Sequence, residues 1–189
     1  GALAQFALLP LNLLGDKKSI DYIETGIWSK KAIQEGQKYA KANVIYSSKE
    51  SGYTTLPKAD EIIVNEESAY LHLCANETIN GVEFPFDLQD CPIPVVADMS
   101  SNILSKKIDV SQYGVIYAGA QKNIGPAGLT IVIVREDLLG RASPLTPDVF
   151  NYEIQDKNDS MLNTPPTFAI YLMSLVLKHI KAKGGIEAM

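Results

Sequence analysis

One lysine lies in a turn of small residues between two apolar segments. Lys122 is part of the run Tyr117–Gly128, and the strand-like segments Val115–Ala118 and Leu129–Val134 flank it. A crowded turn at the end of a sheet is predicted to keep the amine from bulk water, so that it loses its proton and attacks a carbonyl carbon. Lone lysines in loops are mostly solvated and inert, so this hypothesis needs partner groups elsewhere in the chain.

Polar groups follow the predicted strands at the points where they end. Asn76-Glu77-Thr78 follows the segment Ala69–Cys74, and Asp98–Asn102 follows the continuous apolar segment Ile93–Ala97. Ligands of open α/β sheets bind beyond the carboxyl ends of the strands. We therefore expect both groups to meet Gln121-Lys122 over one edge of the sheet.

Each candidate also has a purely structural interpretation. Asp98 could cap a turn or helix, or it could be a partly desolvated carboxylate that pairs with a buried cation. Trp28, the only tryptophan, could fill the core or stack on a flat ligand. Gly1-Ala2-Leu3 precedes a predicted helix, where free N–H groups suit a phosphate, although many helices begin this way.

Taken together, these groups match the needs of pyridoxal phosphate. This cofactor requires a lysine for its aldehyde, a carboxylate for its protonated ring nitrogen, a plate for its ring and a helix N-terminus for its phosphate. Neither the GxxxxGK[ST] loop nor a GxGxxG motif occurs, so a nucleotide site by those routes is unsupported.

Apolar strands that alternate with helices predict an α/β fold with a mostly parallel central sheet flanked by helices. The predicted helices are Ala4–Leu14, Lys30–Lys41 and Pro166–Lys183, and the further extended segments are Asp21–Ile27 and Asn43–Ser47. The longest apolar run, Phe168–Leu177, is too short to cross a bilayer.

Composition narrows the class of protein. The 189 residues allow one large domain or two small ones. A net charge of −5 gives no basic footprint for phosphates, so we expect no nucleic-acid partner. Cys74 and Cys91 lack metal-ligand spacing, so we expect no metal site. Two free thiols suit a reducing compartment such as the cytoplasm.

The chain resembles the phosphoserine aminotransferases, class-V enzymes of fold type I that use pyridoxal phosphate, along nearly its whole length. The runs that carry the resemblance are Val95–Asn102, Gly114–Thr130, Val134–Gly140, Asn163–Pro166, Asp21–Gly26 with Trp28, and Asn76–Ile79. The resemblance implies a role for each candidate. Lys122 forms the Schiff base and moves a proton, Asp98 holds the ring nitrogen, Trp28 stacks on the ring, and Thr78 lies near the phenolic oxygen.

The resemblance also implies how the phosphate is held. The backbone N–H groups of Ala2 and Leu3 and the side chain of Gln121 bind it in one subunit, and Asn163 and Thr164 reach it from a second subunit. The family is therefore expected to be a homodimer with shared active sites. Ala2 and Leu3 replace a glycine and a polar residue that are usual in the family, so a side-chain contact to the phosphate is expected to be lost.

Members of the family are longer at both ends, and the additional segments supply basic residues and an arginine that bind substrate. Residues 1–189 are therefore expected to be the large, cofactor-binding domain of a longer subunit, without most of the small domain. The implied reaction transfers the amino group of glutamate to 3-phosphohydroxypyruvate in serine biosynthesis.

Two alternatives remain open at this point. Another fold-type-I enzyme is possible, such as a desulfurase, but neither Cys74 nor Cys91 is an obvious mobile nucleophile. The chain could also be an idle core that only dimerises or binds the cofactor.

Overall fold

A six-stranded sheet forms the centre of the computed structural model, which describes residues 1–188. In chain order the strands are β1 (Ser19–Glu24), β2 (Lys41–Ser47), β3 (Leu71–Cys74), β4 (Asn76–Glu77), β5 (Val82–Glu83), β6 (Val95–Asp98), β7 (Val115–Gly119) and β8 (Thr130–Val134). The sheet has the order β2-β1-β3-β6-β7-β8, and β4 and β5 form a separate hairpin. Within the six-stranded sheet, only β8 runs antiparallel to its neighbour, so the predicted mostly parallel sheet is confirmed.

Four α-helices accompany the sheet: α1 (Gln5–Leu13), α2 (Ile27–Gly36), α3 (Tyr152–Lys157) and α4 (Thr167–Ala182). A 3-10 turn, Ala2–Ala4, leads into α1. The short helix α3 was not predicted, although Asn151 supplies a local signal by accepting hydrogen bonds from the N–H groups of Glu153 and Ile154. Among residues 1–188, no helix has both the length and the apolar content needed to cross a membrane.

The expected alternation of strands and helices is wrong in the middle of the chain. An α-helix connects β1 to β2, whereas the hairpin and irregular turns connect β3 to β6, and turns with a short 3-10 helix, Val110–Gln112, connect β6 to β7. The connection from β3 to β6 contains three prolines, Pro85, Pro92 and Pro94. Proline lacks the N–H donor that a helix interior needs, which disfavours a helix in this connection.

Each face of the sheet has its own apolar cluster. Successive strand residues alternate between them, so that Val96 packs with α1 and α2 on one face and Ala97 packs under the irregular segments on the other. All four residues of β6 are buried. A strand covered on both faces needs apolar side chains in both directions, which explains its continuous apolar sequence.

His72 is buried in β3, among the rings of Phe6, Tyr22 and Tyr117. Its Nε2 lies 2.9 Å from the hydroxyl of Tyr117. Burial lowers the pKa of His72 to about 3, because the low-dielectric interior disfavours the imidazolium.

This buried histidine predicts acid sensitivity. In the unfolded chain the imidazole has a pKa of about 6.5, so below this pH it binds a proton that the buried imidazole of the folded chain does not bind. The free energy of unfolding therefore falls as the pH drops from about 6.5 towards about 3, by up to about 1.4 kcal/mol per pH unit. Replacing His72 with glutamine should flatten this slope in denaturant titrations at about pH 7 and about pH 5. His179, the other histidine, is exposed on α4, and His179→Gln should leave the slope unchanged. A slope that survives in His72→Gln would assign the acid sensitivity to other groups.

Candidate active site

The loops that follow β3, β6 and β7 meet at the carboxyl edge of the sheet. The backbone N–H of Ala75 donates to the carbonyl of Asp98 over 2.9 Å, and that of Gly119 donates to the Ser100 hydroxyl over 3.1 Å. Parallel strands place their carboxyl ends side by side, so residues distant in sequence become neighbours here.

Lys122 reaches across this edge to Thr78. Its Nζ donates to Thr78 Oγ1 over 2.7 Å, which joins the loop after β7 to the β4–β5 hairpin. Both side chains are exposed, so the expectation that the turn keeps the amine from water is wrong for this chain. The small residues around Lys122, such as Gly119 and Ala120, carry no bulk with which to cover it.

Asp98 ends β6 as a buried carboxylate, with 8% of its surface exposed. The hydroxyl and the N–H of Ser100 donate to Oδ1 over 2.6 and 2.9 Å, so the turn-capping interpretation holds, and Oδ2 receives neither bond. Burial raises the pKa of Asp98, and the Ser100 hydrogen bonds offset part of that rise. No ion pair within residues 1–188 includes Asp98. A cationic ring nitrogen would therefore supply the positive partner that this buried carboxylate does not have.

Trp28 lies in the first turn of α2, at the same edge of the sheet. Its side chain is partly buried and belongs to neither apolar core cluster, so its ring does not simply fill the core. The Lys31 ammonium lies 4.7 Å from the centroid of the indole ring. A flat ligand must therefore stack on the opposite face or displace Lys31.

The N-terminal turn, Ala2–Ala4, lies beside β7. The first N–H groups of a helix have no intrahelical partner, so those of Ala2 and Leu3 are available to an anion. Leu3 has 60% of its surface exposed and contributes no side-chain donor. Gln121 is exposed and folds back over Gly119, where an added Cβ would lie 2.5 Å from its Oε1.

Asn163 and Thr164 lie in an exposed segment just before α4. The Asn163 amide donates to the carbonyl of Thr164 over 3.4 Å, and no hydrogen bond within residues 1–188 connects either residue to Lys122. The family resemblance implies that both residues serve a second subunit, and this role stays a prediction.

Pyridoxal phosphate fits this set of groups. The edge offers an exposed amine, a buried carboxylate without a counter-cation, a partly exposed indole and backbone donors that have no helical partner. In residues 1–188, no group of three or more His, Cys, Asp and Glu side chains is arranged to hold a metal ion.

Glu77 is the residue of this region whose importance the sequence did not reveal. In the sequence it stands out only as a neighbour of Thr78, yet it is fully buried and accepts hydrogen bonds from the N–H groups of Trp28 and Ser29. A local sequence signal does exist, since Ser29 stands three residues after Gly26, at the position where a polar residue closes the first turn of a helix.

The sheet and the groups at its carboxyl edge define an aminotransferase-like protein. The family model for Aminotransferase class-V matches residues 1–189, and the chain belongs to this family. It is 58% identical to the phosphoserine aminotransferase of Hahella chejuensis over 100% of this chain and 52% of that protein. The chain thus spans about half the length of the relatives that it matches.

Solved structures agree on the fold. The phosphoserine aminotransferase from Bacillus circulans subsp. alkalophilus superposes with a TM-score of 0.96 at 45% identity, covering 100% of this chain and 52% of that one. The pyridoxal-phosphate-bound phosphoserine aminotransferase from Trichomonas vaginalis gives a TM-score of 0.86 at 41% identity, with 100% and 53% covered. The chain therefore has the α/β architecture of fold type I, with a mostly parallel central sheet, as the family resemblance implied.

Proposed function

We propose that this chain is the cofactor-binding domain of a phosphoserine aminotransferase, which transfers the amino group of glutamate to 3-phosphohydroxypyruvate in serine biosynthesis. The observation that carries the proposal is the contact of 2.7 Å between Lys122 and Thr78, in a loop beside the buried Asp98. The similarity to phosphoserine aminotransferases along the whole chain supports the choice of substrates.

When bound, pyridoxal phosphate supplies an aldehyde that amines can attack and a ring that withdraws electrons from the substrate. Lys122 holds the cofactor through its amine and moves a proton at Nζ, and Thr78 orients that amine through its hydroxyl. Asp98 keeps the ring nitrogen protonated, because a desolvated carboxylate is stabilised by a cation beside it. Trp28 stacks on the ring.

The phosphate end uses a different set of groups. The N–H groups of Ala2 and Leu3 face the anion at the positive end of a helix, and Gln121 adds a side-chain donor. Asn163 and Thr164 complete the site from the second subunit of a homodimer. Their exposure in this chain supports that role, because they have few contacts of their own to lose.

The free thiols Cys74 and Cys91 support a reducing compartment such as the cytoplasm. Cys74 also argues against a desulfurase. It is buried, and burial raises the pKa of its thiol well above the ordinary range, so the reactive thiolate is disfavoured.

Cofactor titration tests the proposal. Adding pyridoxal phosphate to the chain should produce a yellow absorption band, glutamate should bleach it, and 3-phosphohydroxypyruvate should restore it better than pyruvate does. A protein that stays colourless with Lys122 intact would contradict the cofactor assignment. A yellow protein that ignores glutamate would instead favour the alternative function, a core that only binds cofactor or dimerises.

A further inference from the structure

Glu77 is a fully buried carboxylate at the end of the β4 strand, one residue before Thr78. It forms no ion pair with any lysine, arginine or histidine of residues 1–188. An isolated charge in the interior is strongly destabilising unless hydrogen bonds or dipoles replace its hydration shell. The surroundings of Glu77 therefore have to supply that replacement.

The N-terminus of α2 supplies it. Trp28 N–H donates to Oε2 over 2.9 Å, while the N–H and the hydroxyl of Ser29 each donate to Oε1 over 2.7 Å. The first N–H groups of a helix are unpaired, and the helix dipole is positive at this end. An anion here is therefore stabilised both by hydrogen bonds and by the dipole.

The helix begins in contact with this carboxylate. A Cβ added at Gly26 would lie 2.5 Å from Glu77 Cδ and 2.7 Å from Asn80 Oδ1, so the backbone there touches both side chains. The Asn80 Oδ1 also accepts from the N–H of Ile27 over 3.3 Å. The β4–β5 hairpin thus determines where α2 begins and how its first turn is oriented.

We propose that Glu77 is a positioning residue, which holds the Trp28 indole in register with Thr78 and Lys122 through the first turn of α2. One carboxylate connects the two sides of the site: its backbone leads into Thr78, and its oxygens bind the turn that carries Trp28. The effect on cofactor stacking rests on the proposed function, whereas the effect on Trp28 itself does not.

Glu77→Gln tests the inference with almost no change of shape. The single amide oxygen can keep both Ser29 donors, but the amide NH2 then faces the N–H of Trp28, donor against donor. Because Trp28 is the only tryptophan, its fluorescence reports on this turn directly. In the cofactor-free chain we expect lower fluorescence anisotropy and faster quenching by acrylamide. We also expect binding of pyridoxal phosphate, followed by quenching of Trp28, to weaken about tenfold.

Asp21→Asn is the matched control. Asp21 is also fully buried and accepts hydrogen bonds from Asn43, Asn65 and Ser68, but it lies towards the opposite end of the strands. Its replacement should lower stability and leave the Trp28 signal unchanged. Equal changes of the Trp28 signal in both variants, or none in Glu77→Gln, would overturn the proposal.

A second variant covers the case in which Glu77→Gln does not fold. Asn80→Ala removes only the bond to Ile27 at the same helix end, and it should change acrylamide quenching of Trp28 in the same direction but less. An unfolded Glu77→Gln together with an unchanged Trp28 in Asn80→Ala would also overturn the inference. If the parent chain binds no pyridoxal phosphate, the proposed function fails, while the cofactor-free fluorescence still decides the role of Glu77.

Discussion

Replacing Lys122 with alanine is expected to abolish covalent attachment of pyridoxal phosphate and every activity that depends on it. No other amine of residues 1–188 donates a hydrogen bond to Thr78, so no second lysine occupies a position from which it could replace Lys122. The fold should persist, because the side chain is exposed and makes one hydrogen bond, and such substitutions change stability by about 0.5 kcal/mol or less.

Borohydride reduction followed by intact-mass measurement checks this prediction. The parent chain should gain the mass of one reduced cofactor, and Lys122→Ala should gain none. Lys107→Ala is the control, since Lys107 is an exposed lysine whose partner in the structure is Glu187, and it should behave as the parent does. An adduct of undiminished yield in Lys122→Ala would transfer the role to another lysine.

Replacing Asp98 with asparagine is expected to separate cofactor attachment from amino transfer. The amide oxygen can still accept both bonds from Ser100, so the turn and the attachment at Lys122 should survive. The negative charge that keeps the ring nitrogen protonated is lost, and transfer from glutamate should slow on the order of a thousandfold or more. Bleaching of the yellow band in single-turnover experiments measures this rate.

Asp109→Asn is a closely matched control. Asp109 accepts bonds from the N–H and the hydroxyl of Ser111, two residues on, as Asp98 does from Ser100, but Asp109 is exposed and remote from the site. Its replacement should leave the rate intact. A rate in Asp98→Asn within about tenfold of the parent would remove Asp98 from the proposed role, because lost charge stabilisation has a larger effect.

Asp98→Asn should also change the stability of the cofactor-free chain, and the direction of the change follows from the pKa of Asp98. Burial raises the pKa of Asp98 in the folded chain, so the folded state binds more protons than the unfolded one at weakly acidic pH. The free energy of unfolding then falls as the pH rises through that range. Asp98→Asn removes this loss, and its denaturation midpoint near neutral pH should equal or exceed that of the parent in the cofactor-free chain.

The strands were predictable because a strand that is buried on both faces has a continuous apolar sequence. The segments around β3, β6 and β7 are short apolar runs, and polar groups follow each of them, so the meeting of Thr78, Asp98 and Lys122 at one edge followed from the rule for parallel sheets. The start of α2 was placed at Lys30 instead of Ile27. Ser29, three residues after Gly26, is a local signal of this start, whereas the further cap from Glu77 and Asn80, about fifty positions away, has no local sequence pattern that identifies it.

By itself, the sequence determined which groups could carry out the proposed chemistry, because a lysine, a carboxylate and an indole at strand ends are types and positions that can be read along the chain. Only the tertiary structure decided their environment. It exposes Lys122, buries Asp98 without a counter-cation and leaves Trp28 half-covered. It also turns Glu77 from a neighbour of Thr78 into the cap of α2. The physical reason is that solvent access and hydrogen-bond partners depend on what packs against a residue, and those neighbours come from distant parts of the chain.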